Sequence, residues 1–193
     1  MWVRRSAIRP VPEYARIGRA AIECVRQQMT EDEQSARDQL DLAFDHFERH
    51  QPQLAAHIGE TLGRPLDETA LALGYFLSLS VWLVFERALP QRLDAVTTSE
   101  LQSTIELIAL DEELRRADPA EAIDTEDIVA MEQPEVLAFV HEHVDATLEA
   151  HADGIDVDDV HEIYHVILVQ ILALSYAVRR PKGFPIGKSE MLA

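Results

Sequence analysis

The run T-A-L-A-L-G-Y-F-L-S-L-S-V-W-L-V-F, residues 69–85, decides the fold. It is apolar on every side of a helix, so a helix built from it must be enclosed by others. The alternation that marks a strand is absent from it, and Pro90 sets its end. A bilayer is the other solvent for such a helix, but 17 residues stand at the short end of a span and Gly74, Ser78 and Ser80 dilute them. A second run of the same character covers 163–178, broken by Gln170 and Ser175. Two such helices fit as the central pair of a bundle wrapped by amphipathic helices, and no membrane span is expected.

Outward from this pair the pattern stays helical. A first helix is expected from Pro12 to Met29. Thr30 reads as the N-cap of the next, with acidic residues in its first turn and Leu40, Phe44 and Phe47 at core spacing as far as His50. Pro52 can open a shorter helix, and Gly63-Arg64-Pro65 marks a loop. Ser99 and Gln102 fit a capping box for a helix ending near Asp118-Pro119. With glycine scarce, the reading is all-α: a helical bundle in a single domain over residues 1–193.

The formal net charge is −18, and it is unevenly spread. The N-terminal segment 1–28 and the tail 180–193 are basic, and the body between them is strongly acidic. Such a body repels phosphate backbones and anionic lipid, so no nucleic-acid partner is expected. The basic ends suit docking on an acidic body, the chain's own or a partner's, which points to self-association or a protein partner. A lone cysteine, Cys24, asks for no disulfide and no oxidising compartment, and a cytoplasmic setting is expected.

The chain also resembles itself. Thr30-Glu31-Asp32 recurs as Thr125-Glu126-Asp127, and Leu42-Ala43-Phe44-x-His46 as Leu137-Ala138-Phe139-x-His141. His57 falls opposite His151, Phe85 opposite Tyr176, and Pro90 opposite Pro181. The matches give two related helical repeats, about 30–90 and 125–181, packed about a pseudo-twofold axis with the apolar helices at its centre. His161 and His165 have no histidine counterparts: Ala70 and Gly74 fall opposite them in this register.

Those two histidines belong to H-E-I-Y-H, residues 161–165, in a helix capped near Asp156. The spacing puts both imidazoles on one helical face, and the helix N-terminus favours the neutral form that binds metal. The five letters resemble the zinc signature of the zincin metallopeptidases, which implies His161 and His165 as ligands and Glu162 as general base. The resemblance stops at those letters. Asp159 stands where the family usually has an uncharged residue, no sheet is available for a substrate, and Glu190 is the one candidate for a glutamate ligand further on. Within the chain, His141 on the preceding helix is the candidate third ligand. A ferritin-like ligand set is not expected, because Leu71-x-x-Gly74 replaces the second Glu-x-x-His. A hemerythrin-like set is not expected either: His46-x-x-x-His50 and His161-x-x-x-His165 are present, but the accompanying Glu and Asp ligands do not fall in that family's order.

No glycine-flanked serine or phosphate loop is present in the sequence. The expectation is a non-catalytic interaction or assembly protein, homo-oligomeric and needing no cofactor. The alternative is a protein that binds a divalent metal such as zinc through His161, His165 and His141, with hydrolysis through Glu162.

Overall fold

The computed structural model describes residues 6–29, 33–117, 124–152 and 154–184. Among them are eight α-helices: α1 Arg19–Met29, α2 Glu33–His50, α3 Pro52–Leu62, α4 Glu68–Ala88, α5 Thr98–Ala117, α6 Thr125–Glu132, α7 Pro134–Ala150 and α8 Val157–Tyr176. No strand forms among the described residues; Leu93 and Val178 make one isolated antiparallel bridge.

The two apolar runs are α4 and α8, and they pack on each other at the centre. From Leu77 to Phe85 every residue of α4 is buried, and so is every residue of α8 from Val166 to Ser175. Around them α1, α2 and α7 cover α4, while α3, α5 and α6 cover α8. Among the described residues, helix α4 alone is long and apolar enough to pass for a membrane span, and 67% of its most apolar window is buried inside the bundle.

Caps set where the central helices start. Asp67 accepts the Thr69 and Ala70 amides at 2.9 and 3.0 Å, and Asp156 accepts that of Asp158 at 2.9 Å. Each carboxylate satisfies a helix-end donor and complements the dipole.

Several boundaries differ from expectation. The first helix begins at Arg19, not Pro12; Glu13–Ala15 is a single 3-10 turn, and residues 6–12 are non-helical, with a bend at Ala7 and Ile8. The cause lies in tertiary bonds. Buried Asp111 accepts Ser6 Oγ at 2.7 Å and the Ala7 amide at 2.9 Å, and buried Glu132 accepts the Val11 amide at 3.1 Å. These bonds pin residues 6–11 to the body, and within the expected helix the Ile17 amide, which an α-helix would pair with the Glu13 carbonyl, donates instead to Gln133 Oε1 at 2.9 Å. The capping box of α5 is Thr97 with Glu100 rather than Ser99 with Gln102. Thr97 Oγ1 accepts the Glu100 amide at 3.2 Å, and Glu100 accepts the Thr97 amide at 2.9 Å. The proposed cap Thr30, the helix end at Asp118-Pro119 and Glu190 lie outside the described residues.

Two glutamines break the outer helices in the same way. Gln51 (φ −131°, ψ 54°) separates α2 from α3, and Gln133 (φ −133°, ψ 61°) separates α6 from α7. A proline follows each, which disfavours helical backbone at the glutamine and opens the next helix. Both side chains are buried and clamp an extended segment. Gln51 Nε2 donates to the Asp94 carbonyl at 3.0 Å while its Oε1 accepts the Val96 amide at 2.8 Å. Gln133 Nε2 donates to the Ala15 carbonyl at 2.9 Å while its Oε1 accepts the Ile17 amide at 2.9 Å.

The L-A-F matches found in the sequence do not share a setting: Leu42 is 64% exposed and Leu137 is 1% exposed.

Candidate functional site

The first turns of α8 stand between two clefts. On one side α3, α5 and α8 enclose a cleft of about 380 Å³. Helix α8 contributes His161, Glu162 and His165 to its wall, α3 contributes His57 and Thr61, and α5 contributes Glu112. Ile105, Val166 and Val169 supply its apolar lining. The histidines share a wall because the four-residue spacing of His161 and His165 puts them on one stripe of α8. His165 Nε2 lies 3.4 Å from Glu112 Oε1.

Glu162 lines the same cleft as His161 and His165. It pairs with Arg64, from the loop after α3, at 2.8 Å and at the surface.

His141, the third histidine expected beside the pair, lies across the other cleft, of about 400 Å³, with Val144, Leu148 and Tyr164. Its Nε2 stands 2.7 Å from the Tyr164 hydroxyl and 3.1 Å from Glu126 Oε1. Burial, and after it the charge of Glu126, holds the Tyr164 phenol far above its ordinary range, so it stays protonated. Of the three histidines, His161 alone lines both clefts. Among the described residues no three His, Cys, Asp or Glu side chains are arranged to hold a metal ion.

Gly74 has no open space beside it. A Cβ on Gly74 would stand 2.6 Å from Leu62 Cδ2 and 2.7 Å from Ile163 Cδ1. Glycine there serves the close crossing of α4 and α8.

Sequence reasoning left out His57, Glu112 and Arg64. They come from α3, the loop after it and α5, far from residues 161–165 in the chain, and no spacing links them. His57 carries a pH signature. Burial lowers its pKa from the ordinary 6.5, Glu60 partly offsets this, and His165 adds a smaller push downward. The folded protein therefore binds fewer protons at His57 than the unfolded chain does below about pH 6.5, and this contribution to stability is lost as pH falls. Thermal melts from pH 7.5 down to 5 should show a shallower loss of stability in His57→Asn than in the wild type. Equal slopes would mean that His57 does not titrate with unfolding.

No family model matches this chain. Neither a curated protein nor a solved structure matches it either. The functional reading therefore rests on the chain's own chemistry.

Proposed function

We propose that this is a non-catalytic assembly protein that self-associates through the outer face of α5, in a cytoplasmic setting. One observation carries the reading. Helix α5 buries Leu101, Thr104, Ile108 and Asp111 in the bundle, yet Leu110 is 47% and Leu114 44% exposed. With half-buried Leu107 they follow the three-and-four spacing of a two-helix seam. A second copy of α5 would cover this stripe.

Glu106 and Glu113 border the stripe, so two copies repel at low salt and associate better when salt screens them. Covering two leucines that are already about half buried contributes about 1 kcal/mol each. Light scattering should therefore show a dimer or larger species that high salt favours, and Leu110→Glu with Leu114→Glu should return it to a monomer. A wild-type monomer at every salt concentration would sink the proposal.

The same proposal includes an internal duplication, in a register different from the sequence matches: α1–α4 and α5–α8 as two copies of one four-helix unit. Three features support it. Gln51-Pro52 and Gln133-Pro134 break their helices at the same backbone angles and clamp the same kind of segment, ahead of α5 and α1 respectively. The caps Asp67 and Asp156 open α4 and α8. The helix pairings also exchange: α1 on α4 answers α5 on α8, and α7 on α4 answers α3 on α8. In this register Ala72 and Phe76, rather than Ala70 and Gly74, correspond to His161 and His165. Gly74 then corresponds to Ile163, the residue it touches, as expected of a pair close to a twofold axis.

The second reading is divalent-metal binding, favoured by one observation: His57, His161, His165 and Glu112 line a single cleft. Elemental analysis of untagged protein tests it. Stoichiometric zinc, lost in His161→Ala, would establish it; metal-free protein that zinc does not stabilise would remove it.

A further inference from the structure

The inference that follows rests on the duplication proposed above. Under it, the cleft between α3, α5 and α8 has an equivalent between α7, α1 and α4, and these three helices also pack on one another. The glutamine clamps and caps set the correspondence: Phe139 answers His57, His143 answers Thr61, Phe76 answers His165, and Arg26 answers Ile105.

In the α7–α1–α4 half, those side chains close the space with aromatic rings. The ring centroids of Phe139 and His143 are 4.4 Å apart, those of Phe76 and His143 4.8 Å, and those of Phe76 and Phe139 6.5 Å. The Arg26 guanidinium lies 5.6 Å over the Phe139 ring and forms a two-pronged ion pair with Glu142. Edge and offset stacks at these separations are favourable, and the cation on the ring face adds to them. In the other half the corresponding positions hold two imidazoles, a threonine and an isoleucine, and about 380 Å³ is open.

We propose that the α3–α5–α8 cleft binds a small planar aromatic molecule, neutral or cationic, whose ring occupies the place that Phe76, Phe139 and His143 share in the other half. The volume lies within the range of small-molecule pockets, toward its lower end, and suits a compound of one or two rings. Ile105, Val166 and Val169 offer an apolar bed, while His57 and His165 offer ring faces for stacking. Neutral imidazoles both donate and accept hydrogen bonds, so they orient polar atoms on the ring edge. Arg64 also lines the cleft but is paired with Glu162, so Glu112, on a chain of net charge −18, selects against anions.

Saturation-transfer NMR with benzamidine (cationic), indole (neutral) and benzoate (anionic) tests the proposal. Benzamidine and indole should bind, with benzoate weaker by about tenfold or more. The triple variant His57→Phe, Thr61→His and His165→Phe writes the closed half's rings into the cleft and should lose binding by about tenfold or more. Thr61→Trp alone, which fills the cleft with one side chain, should do the same if the triple variant fails to fold. The reverse change, Phe76→His, Phe139→His and His143→Thr, should create a second site. If wild type binds none of the probes, if it prefers benzoate, or if a folded filled variant binds as before, the proposal is overturned. Stoichiometric zinc in the isolated protein, held by His161, would also overturn it. If the filled variants lose binding but the reverse variant gains no second site, the cleft stands and the duplication falls.

Discussion

Replacing Gln133 by alanine should cost about 3 kcal/mol or more, since it orphans two buried backbone groups at about 1–3 kcal/mol each and leaves a cavity. The residue is 0% exposed and its side chain makes three hydrogen bonds inside the protein, using both of its donors. It holds the Ala15 carbonyl and the Ile17 amide, and it donates to Ser175 Oγ at 2.8 Å. Water cannot easily replace it, because Ala15 and Ile17 are themselves buried. The loss should be partly local. Residues 6–17 are tied down at Asp111, Glu132 and Gln133, and removing the last tie should speed proteolytic cleavage there. Urea titration and limited proteolysis measure both effects. Gln51→Ala, which frees the Asp94 carbonyl and the Val96 amide but lacks the serine bond, should cost somewhat less. A Gln133→Ala protein within about 1 kcal/mol of wild type would show that water or a shifted backbone satisfies those groups, contrary to this account.

These glutamines also show where the sequence was legible and where it was not. The all-α class and the central pair could be read from residues 69–85 and 163–178, because an apolar helix has few options outside an enclosing bundle. Pro52 and Asp156 were readable because caps and first-turn prolines act locally. Gln133-Pro134 was not readable as a break inside a matched segment, since a buried glutamine's role depends on which distant backbone it meets. The start of α1 failed for the same reason: Gln133, which takes the Ile17 amide and the Ala15 carbonyl, lies far along the chain between α6 and α7. At the candidate site, the stripe of His161 and His165 followed from helical periodicity. Its cleft-mates His57 and Glu112 depend on how α3 and α5 cross α8, which no local pattern records.

That crossing geometry is tested most directly at Gly74. Alanine there should be nearly neutral, because relief of glycine's helix cost, about 1 kcal/mol, offsets an overpacking penalty taken up by the flexible ends of Leu62 and Ile163. Valine is different. Its two methyl groups extend past a Cβ already 2.6 Å from Leu62 Cδ2 and 2.7 Å from Ile163 Cδ1, so side-chain adjustment no longer suffices and α4 and α8 must part. Overpacking of this kind costs about 3 kcal/mol, and the second substitution Ile163→Ala should recover a large share by removing the atoms it meets. The double-mutant cycle, read by urea titration, should therefore give a favourable coupling of about 1 kcal/mol or more. Helix α8 carries His161 and His165 two residues either side of Ile163, so parting the helices shifts the cleft wall as well as the core. Benzamidine binding should fall in Gly74→Val and return in the double variant, tying the central crossing to the site. If Gly74→Val is as stable as wild type, the contact with Ile163 does not fix the crossing, and the position of the two histidines has another origin.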